Sequence, residues 1–483
     1  MDSNVSLLPI IIVIIYLIGM LAIGFFTNKY AVKSSTDYML AGRSVGVVMI
    51  AASLSANNVG GGSTTGLAAR AFSGWGMSAS WYVLAAAIAM IPLAYFAPRI
   101  RKTMAITIPE VVHRRFGNAA GTFTAVLNVL SLFLLTSSQI LASGSVLSAL
   151  VGIPLNLAIV IAAVVTGVYT VMGGMLADQI SDLIQFFIIL IGLAISMVFV
   201  LRGVGGWGTI VEMLPPVELD FFKVGWVTII GLIFNYFCTF LSGPEMVSRF
   251  SSAEDEKTAQ KAAMLSALFM AMIAFLPTIM GLVALAENPG LDGGAGTSAL
   301  MYTVQNYAPT WVSGVLAASI VAATMSSADS NLLSASSIVM NDIYLRYVNP
   351  DLDDRKVIYY ARGMNVIILI ISCLIAMLNI SIVTLNLFAF ALRSAGPIGA
   401  YGLGMVVEDA TKNAGIASIV VGSVAVIFWQ LIGEPFGILA IVFGSFWSAV
   451  AFMLITKIER GRGVPPAPSA FEDHKSFTEE MAE

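Results

Sequence analysis

Long apolar runs separated by short polar ones fill the chain from residue 7 to residue 456. The runs fall near 7–27, 47–72, 76–98, 119–147, 156–173, 179–202, 224–243, 262–286, 309–338, 360–380, 385–407, 415–434 and 436–456. A helix needs roughly 20 apolar residues to cross a bilayer, and the longer runs leave room for tilt or a break. The pattern predicts an all-α polytopic membrane protein with thirteen transmembrane helices.

Several runs depart from plain apolarity. The most polar stretch is Ala318–Ile338, ASIVAATMSSADSNLLSASSI, flanked by membrane-grade sequence. Polar side chains at that depth are costly and mark function by default. At about 100° per residue, Ser326, Ser337, Ser330, Ala323, Ser334 and Ser327 share one arc of roughly 100°, with Asp329 about 60° to its side. A row of neutral oxygens beside one carboxylate suits a small hard cation. With neither Cys nor His nearby, it does not suit a soft metal.

The second run, MIAASLSANNVGGGSTTGLAARAFSGWG, places Asn57, Asn58 and Gly60–Gly62 in mid-membrane. Glycine weakens a helix there. Unwound backbone at that depth is tolerated only where it is buried or lines a cavity. The seventh run, GLIFNYFCTFLSGPEMVSRF, is interrupted at Pro244. Broken segments in matching places, five runs apart, predict an inverted-repeat transporter, whose freed carbonyls can bind a cation and whose half-helix N-termini can face an anionic group. Tyr236 and Phe240, an i, i+4 pair, fit either a cavity wall or core. Asp178 and Asp182 share a helix face. Asp178 reads as a solvated helix-end acid, Asp182 as buried and functional. Arg393, inside the eleventh run, has three readings: pairing with an acid, holding a substrate carboxylate, or snorkelling outward. Arg70 reads as an interface anchor.

Composition agrees with a membrane protein. Of 483 residues, 58% are hydrophobic and 11% charged, against about 25% charged in soluble domains. The first run is followed, not preceded, by basic residues, so it reads as a retained helix rather than a signal peptide. With an odd number of crossings and an outer N-terminus, 20 of the 24 Lys and Arg residues lie on inner segments, Lys29, Lys33 and Lys475 among them. Charge asymmetry of this sense predicts a cytoplasmic C-terminus in a cell membrane. The inner loop 244–261 reads as solvated and the tail after Ile458 as mobile. The predicted division is 1–46, 47–202 (first repeat), 203–408 (second repeat), 409–456 and 457–483. Cys238 and Cys373 read as buried small hydrophobes. His113, in a basic loop, and His474 have no metal-ligand partner at useful spacing. No motif points to nucleic acid, to an obligate protein partner, or to enzymatic chemistry of the HExxH or Walker type.

On three stretches, DYMLAGRS (Asp37–Ser44), TVMGGMLADQISDLIQ (170–185) and AATMSSADSNLLSASS (Ala322–Ser337), the chain resembles the sodium:solute symporter family, whose members share the leucine-transporter fold. The resemblance implies an inverted repeat of five helices plus five, and sodium (Na+) held by the backbone carbonyls of Ala56, Val59 and Ala323 and the hydroxyls of Ser326 and Ser327. It also implies a possible second sodium near Asp182, Ser330 and Asp329, although some members carry serine where Asp329 stands. LFLLTSSQILASG has no arginine, which argues against a sialic acid site. Asn58 replaces an aspartate of the proline branch, which argues against a close proline transporter. The expected solute cavity comprises Asn58, Gly60, Gly61, Ser63, Thr136, Gln139, Tyr236 and Phe240. The expected activity is sodium-coupled import of a small organic solute, a carboxylate or an amino acid, by alternating access. The alternatives are a proton-coupled carrier relaying through Asp182 or Asp329, and a transporter-fold sensor.

Overall fold

The computed structural model describes residues 7–31, 39, 41–291 and 297–471. Among these the chain is helical, with one isolated parallel bridge, Val45 to Ala253, and no strand. The principal helices are α1 (Leu7–Ala31), α2 (Val47–Asn58), α3 (Thr65–Arg70), α4 (Trp81–Lys102), α5 (Ile108–Phe116), α6 (Asn118–Val151), α7 (Leu155–Gly203) and α8 (Gly225–Leu241). They continue with α9 (Pro244–Ser251), α10 (Glu256–Ile273), α11 (Phe275–Glu287), α12 (Thr310–Ile338), α13 (Asp354–Ala376), α14 (Ile382–Ser394), α15 (Lys412–Leu431) and α16 (Ala440–Gly461).

Nine helical stretches among the described residues are long and apolar enough to cross a membrane, eleven if each bent pair counts as one span. The expected thirteen is not reached on that measure. Val47–Asn58 and Leu155–Val168 fall short of the length required, because the chain breaks soon after each.

Helix α12 is buried along almost its whole length, against α6, α7 and α1. Its alanines and serines permit this, since small residues let helix backbones approach closely. Helix α1 lies outside, with Leu7, Ile11, Ile15 and Phe26 exposed, as a lipid-facing rod should be. Three breaks shape the interior. Helix α2 ends at Asn58 and the chain turns through 59–64 before α3. Helices α8 and α9 meet at 56°, with Pro244 at the first turn of α9, where its missing N–H costs nothing. Within α7, Gly174 adopts φ +66° and ψ −176°, a conformation that side chains resist.

Four expectations need correction. The 244–261 segment is not solvated throughout: Glu245, Arg249, Ser251 and Ser252 are buried, and Glu245, Arg249 and Ser252 bond to α14, α2 and α7 rather than to water. The tail is not free from Ile458: α16 runs to Gly461, and the Ala467 N–H donates to the Ala410 carbonyl at 2.7 Å. Residues 472–483, with His474 and Lys475, lie outside the described residues, as do Lys33 and Asp37. His113 lies in helix α5, buried against Gly121, not in a loop. Asp178 is 2% exposed rather than solvated.

Candidate functional site

The opened end of α2 is the centre of the site. A helix leaves its last carbonyls without intrahelical donors. Here the Gly61 N–H, which would continue the ladder to Asn57, goes instead to Gln139 Oε1 of α6 at 2.8 Å. Two hydroxyls of α12 take up the freed carbonyls. Ser326 Oγ donates to the Ala56 oxygen at 3.0 Å, and Ser327 Oγ to the Asn57 oxygen at 2.6 Å. Both hydroxyls also lie beside the Ala323 carbonyl, at 2.9 and 3.1 Å. Ala56, Ala323, Ser326 and Ser327 thus converge. Val59 is buried at the same helix end, its N–H bonded to Ser55 O. The oxygen that Ser327 meets belongs to Asn57, which the sequence placed at the break but not among the expected sodium ligands.

Next to these oxygens is a small cavity of about 40 Å³, room for a few waters. It is lined by Asn58, Gly60, Ser63, Gln139 and Tyr236 from the expected set, with Gly61 held behind by its bond to Gln139. Thr136 and Phe240 are buried but do not line it. Phe240 packs against Tyr236, ring centroids 5.4 Å apart. The cavity adds Asn57, Tyr82, Asn331, Asn386, Glu245 and Arg393. Glycine is required here by close approach. A Cβ on Gly60 would stand 2.5 Å from Gln139 Oε1, and one on Gly62 2.6 Å from Asn386 Nδ2. Arg393 does not snorkel: Nη1 donates to Glu245 Oε2 at 2.6 Å, and both residues are buried. Arg70, at the end of α3, sits 4.2 Å over the Trp75 ring.

On the other side of the serine face lies a buried ionic cluster. Asp178, Asp182 and Asp329 bring their carboxylates within 4.8 Å of one another. Arg249 of α9 reaches between them, its Nη2 2.9 Å from Asp178 Oδ2 and 2.6 Å from Asp182 Oδ2. The same nitrogen donates to Ser330 Oγ, and Arg249 Nε donates to Ser53 Oγ at 2.6 Å. Ser53 Oγ in turn donates to Asp182 Oδ2 at 2.6 Å. Asp182 Oδ1 and Asp329 Oδ2 are buried without a partner. The cluster ties α2, α7, α9 and α12 together. Asp182 and Ser330 therefore already hold a cation, the guanidinium, which sequence reasoning missed. The available signal was Glu245 and Arg249 spaced i, i+4 directly after Pro244.

A bundle of broken helices around a polar cavity, with opened backbone facing a hydroxyl-bearing helix, defines a multi-pass membrane carrier of the leucine-transporter-like fold. The chain belongs to the sodium:solute symporter family, whose model matches residues 38–422. It is 27% identical over 481 residues to sodium/proline symporters of Staphylococcus aureus strains JH9 and USA300, covering 94% of this chain and 93% of theirs. In three dimensions it resembles a sodium-coupled sialic acid symporter in a substrate-bound outward-open state, with TM-score 0.83 and 21% identity. That match covers 96% of this chain and all of the other. A nucleobase-cation-symport-1 family transporter bound to bromovinylhydantoin matches at TM-score 0.56 and 16% identity, over 87% and 95% of the two chains. These relatives are transporters, not enzymes.

Proposed function

We propose that this protein imports a small organic solute across the cell membrane, driven by sodium, through alternating access. One observation carries the reading: Ser326 and Ser327 meet the Ala56 and Asn57 carbonyl oxygens where α2 opens. Neutral hard oxygens on two neighbouring helices are the donors a small hard cation takes. Sodium would be held by the carbonyls of Ala56, Val59 and Ala323 and the hydroxyls of Ser326 and Ser327. The solute would lie beside it, against Asn58, Gly60, Ser63, Gln139 and Tyr236. Sodium and solute together favour the closed site; separation of α2 from α12 then releases the ion inward. Each charge moved gains about 2.3 kcal/mol per 100 mV. The positive-inside bias supports an outer N-terminus and a cytoplasmic C-terminus. The breaks after Asn58 and Leu241 support two five-helix repeats, 47–202 and 203–408.

The test uses purified protein in vesicles with an inward sodium gradient. Labelled L-proline, the solute named for the bacterial relatives, comes first, followed by other small amino acids and monocarboxylates. Replacing both Ser326 and Ser327 by Ala is expected to weaken sodium-driven uptake about ten-fold or more. Undiminished uptake by that variant overturns the assignment. Binding without movement would favour the sensor.

The ionic cluster favours one addition. Three buried carboxylates lie together while the one guanidinium among them pairs with two, Asp178 and Asp182, and uncompensated buried charge is costly. A second sodium at Asp182, Ser330 and Asp329, or a proton on one of the acids, would relieve it. The charge carried per solute separates one cation from two, and replacing sodium by a pH gradient separates sodium from proton.

A further inference from the structure

We propose that Glu245 and Arg393 form a charge pair that the solute itself opens, with Arg393 taking its carboxylate and Glu245 its cationic nitrogen. The carrier would then select small zwitterions over monocarboxylates and neutral solutes. The inference rests on the import reading above and specifies its solute class.

Among the residues lining the cavity, Glu245 and Arg393 are the two with formal charges; the rest are amides, hydroxyls, aromatic rings, glycine and Leu135. They face each other at 2.6 Å, Arg393 1% and Glu245 5% exposed in their side chains. Their bonding capacity is not spent. Arg393 has five N–H donors, and its buried Nε has no partner. Burying each charge is expensive, and removing one partner strands the other. A zwitterion exchanges partner for partner and strands neither. A monocarboxylate that took Arg393 would leave Glu245 unpaired, and a neutral polyol could satisfy neither group fully.

Placement adds a second argument. Glu245 sits in the first turn of α9, directly after the 56° bend between α8 and α9. Arg393 sits in the last turn of α14, before the 52° bend into 398–405. The pair therefore joins the elbows of two bent spans, and a solute that parts it would act on both. Phe390, whose ring centre lies 5.3 Å from the guanidinium carbon, steadies Arg393. The cavity beside the pair is small, so parting the two side chains also makes the room a solute needs.

The experiment measures ligand-induced thermal stabilisation of the purified full chain, with L-proline and each small amino acid, and with propionate and butyrate. Each ligand is titrated in sodium and in potassium. The expected result is half-saturation by at least one amino acid about ten-fold or more below that of the monocarboxylates. Glu245→Gln is expected to shrink that preference about ten-fold by weakening the amino acid and strengthening the monocarboxylate. Should the single variant fail to fold, the double variant Glu245→Gln/Arg393→Gln removes both charges together and strands neither; it is expected to fold and to lose the preference. A preference that survives either variant, wild-type preference for monocarboxylates, or no binding by either class overturns the pair's role. Sodium dependence is scored separately: a zwitterion preference equal in sodium and potassium supports the pair while overturning the coupling assigned to Ser326 and Ser327.

Discussion

Position 60 allows no side chain without moving the site. A Cβ there would meet two side-chain ends, Gln139 Oε1 at 2.5 Å and Ser327 Oγ at 2.6 Å. Both can yield, so Gly60→Ala is expected to fold. Yielding takes the Ser327 hydroxyl away from the Asn57 oxygen, so half-saturation for sodium is expected to rise about ten-fold, while the melting midpoint changes little. Sodium titrations of uptake measure the first and thermal unfolding the second. Gly208, with nothing within 4 Å of an added Cβ, is the control. The serine face was legible at this scale because helical angle arithmetic needs only local spacing. Arg249 and Asp178 were not legible. Their segment looks like a polar loop and a helix end, and their burial follows from each other across 71 positions of chain. No local composition reports a partner that distant.

At the scale of elements, α5 shows how a basic stretch becomes interior. Thr107 caps it, accepting from the Glu110 N–H at 3.2 Å, while its own hydroxyl donates to Asp342 Oδ2 at 2.7 Å. That anchor ties the helix to the turn Val339–Tyr344 that follows α12, and His113 is buried on the same helix. Burial there, with Arg346 nearby, pushes the imidazole from 6.5 down to about 4. The unfolded chain therefore binds a proton that the folded one refuses, and stability is lost as pH falls from about 6.5 towards 4. His113→Gln is expected to flatten that part of the profile, read as the melting midpoint at pH 7 and pH 5 in detergent. An equal drop in wild type and variant would show that His113 does not contribute. Sequence placed a loop here because nine residues with three basic side chains carry no long apolar face; the cap and the distant aspartate supply what periodicity lacked.

For the molecule as a whole, apolar run length made the helical architecture readable, because lipid leaves buried backbone few other options. The number of crossings was less readable, since a run broken by glycine or proline becomes two short rods whose lengths no longer report span count. The breaks themselves were visible as Asn57–Gly62 and Pro244. The charge balance of the assembled core carries its own expectation. If the three acids hold a second transported cation, Asp329→Asn is expected to lower the charge moved per solute by about one. The ratio of current to tracer uptake measures this; an unchanged ratio means that Asp329 shares no transported ion.

Gly174 separates α7 into two stiff levers joined by one left-handed residue. The lever after the joint carries Asp178 and Asp182, and through them Arg249 and the end of α9. Flexing a continuous rod would stretch several backbone bonds at once, each worth about 1 kcal/mol. Turning about the torsions of a single glycine leaves both ladders whole, so a swing of the acid-bearing half is resisted mainly by what its side chains grip.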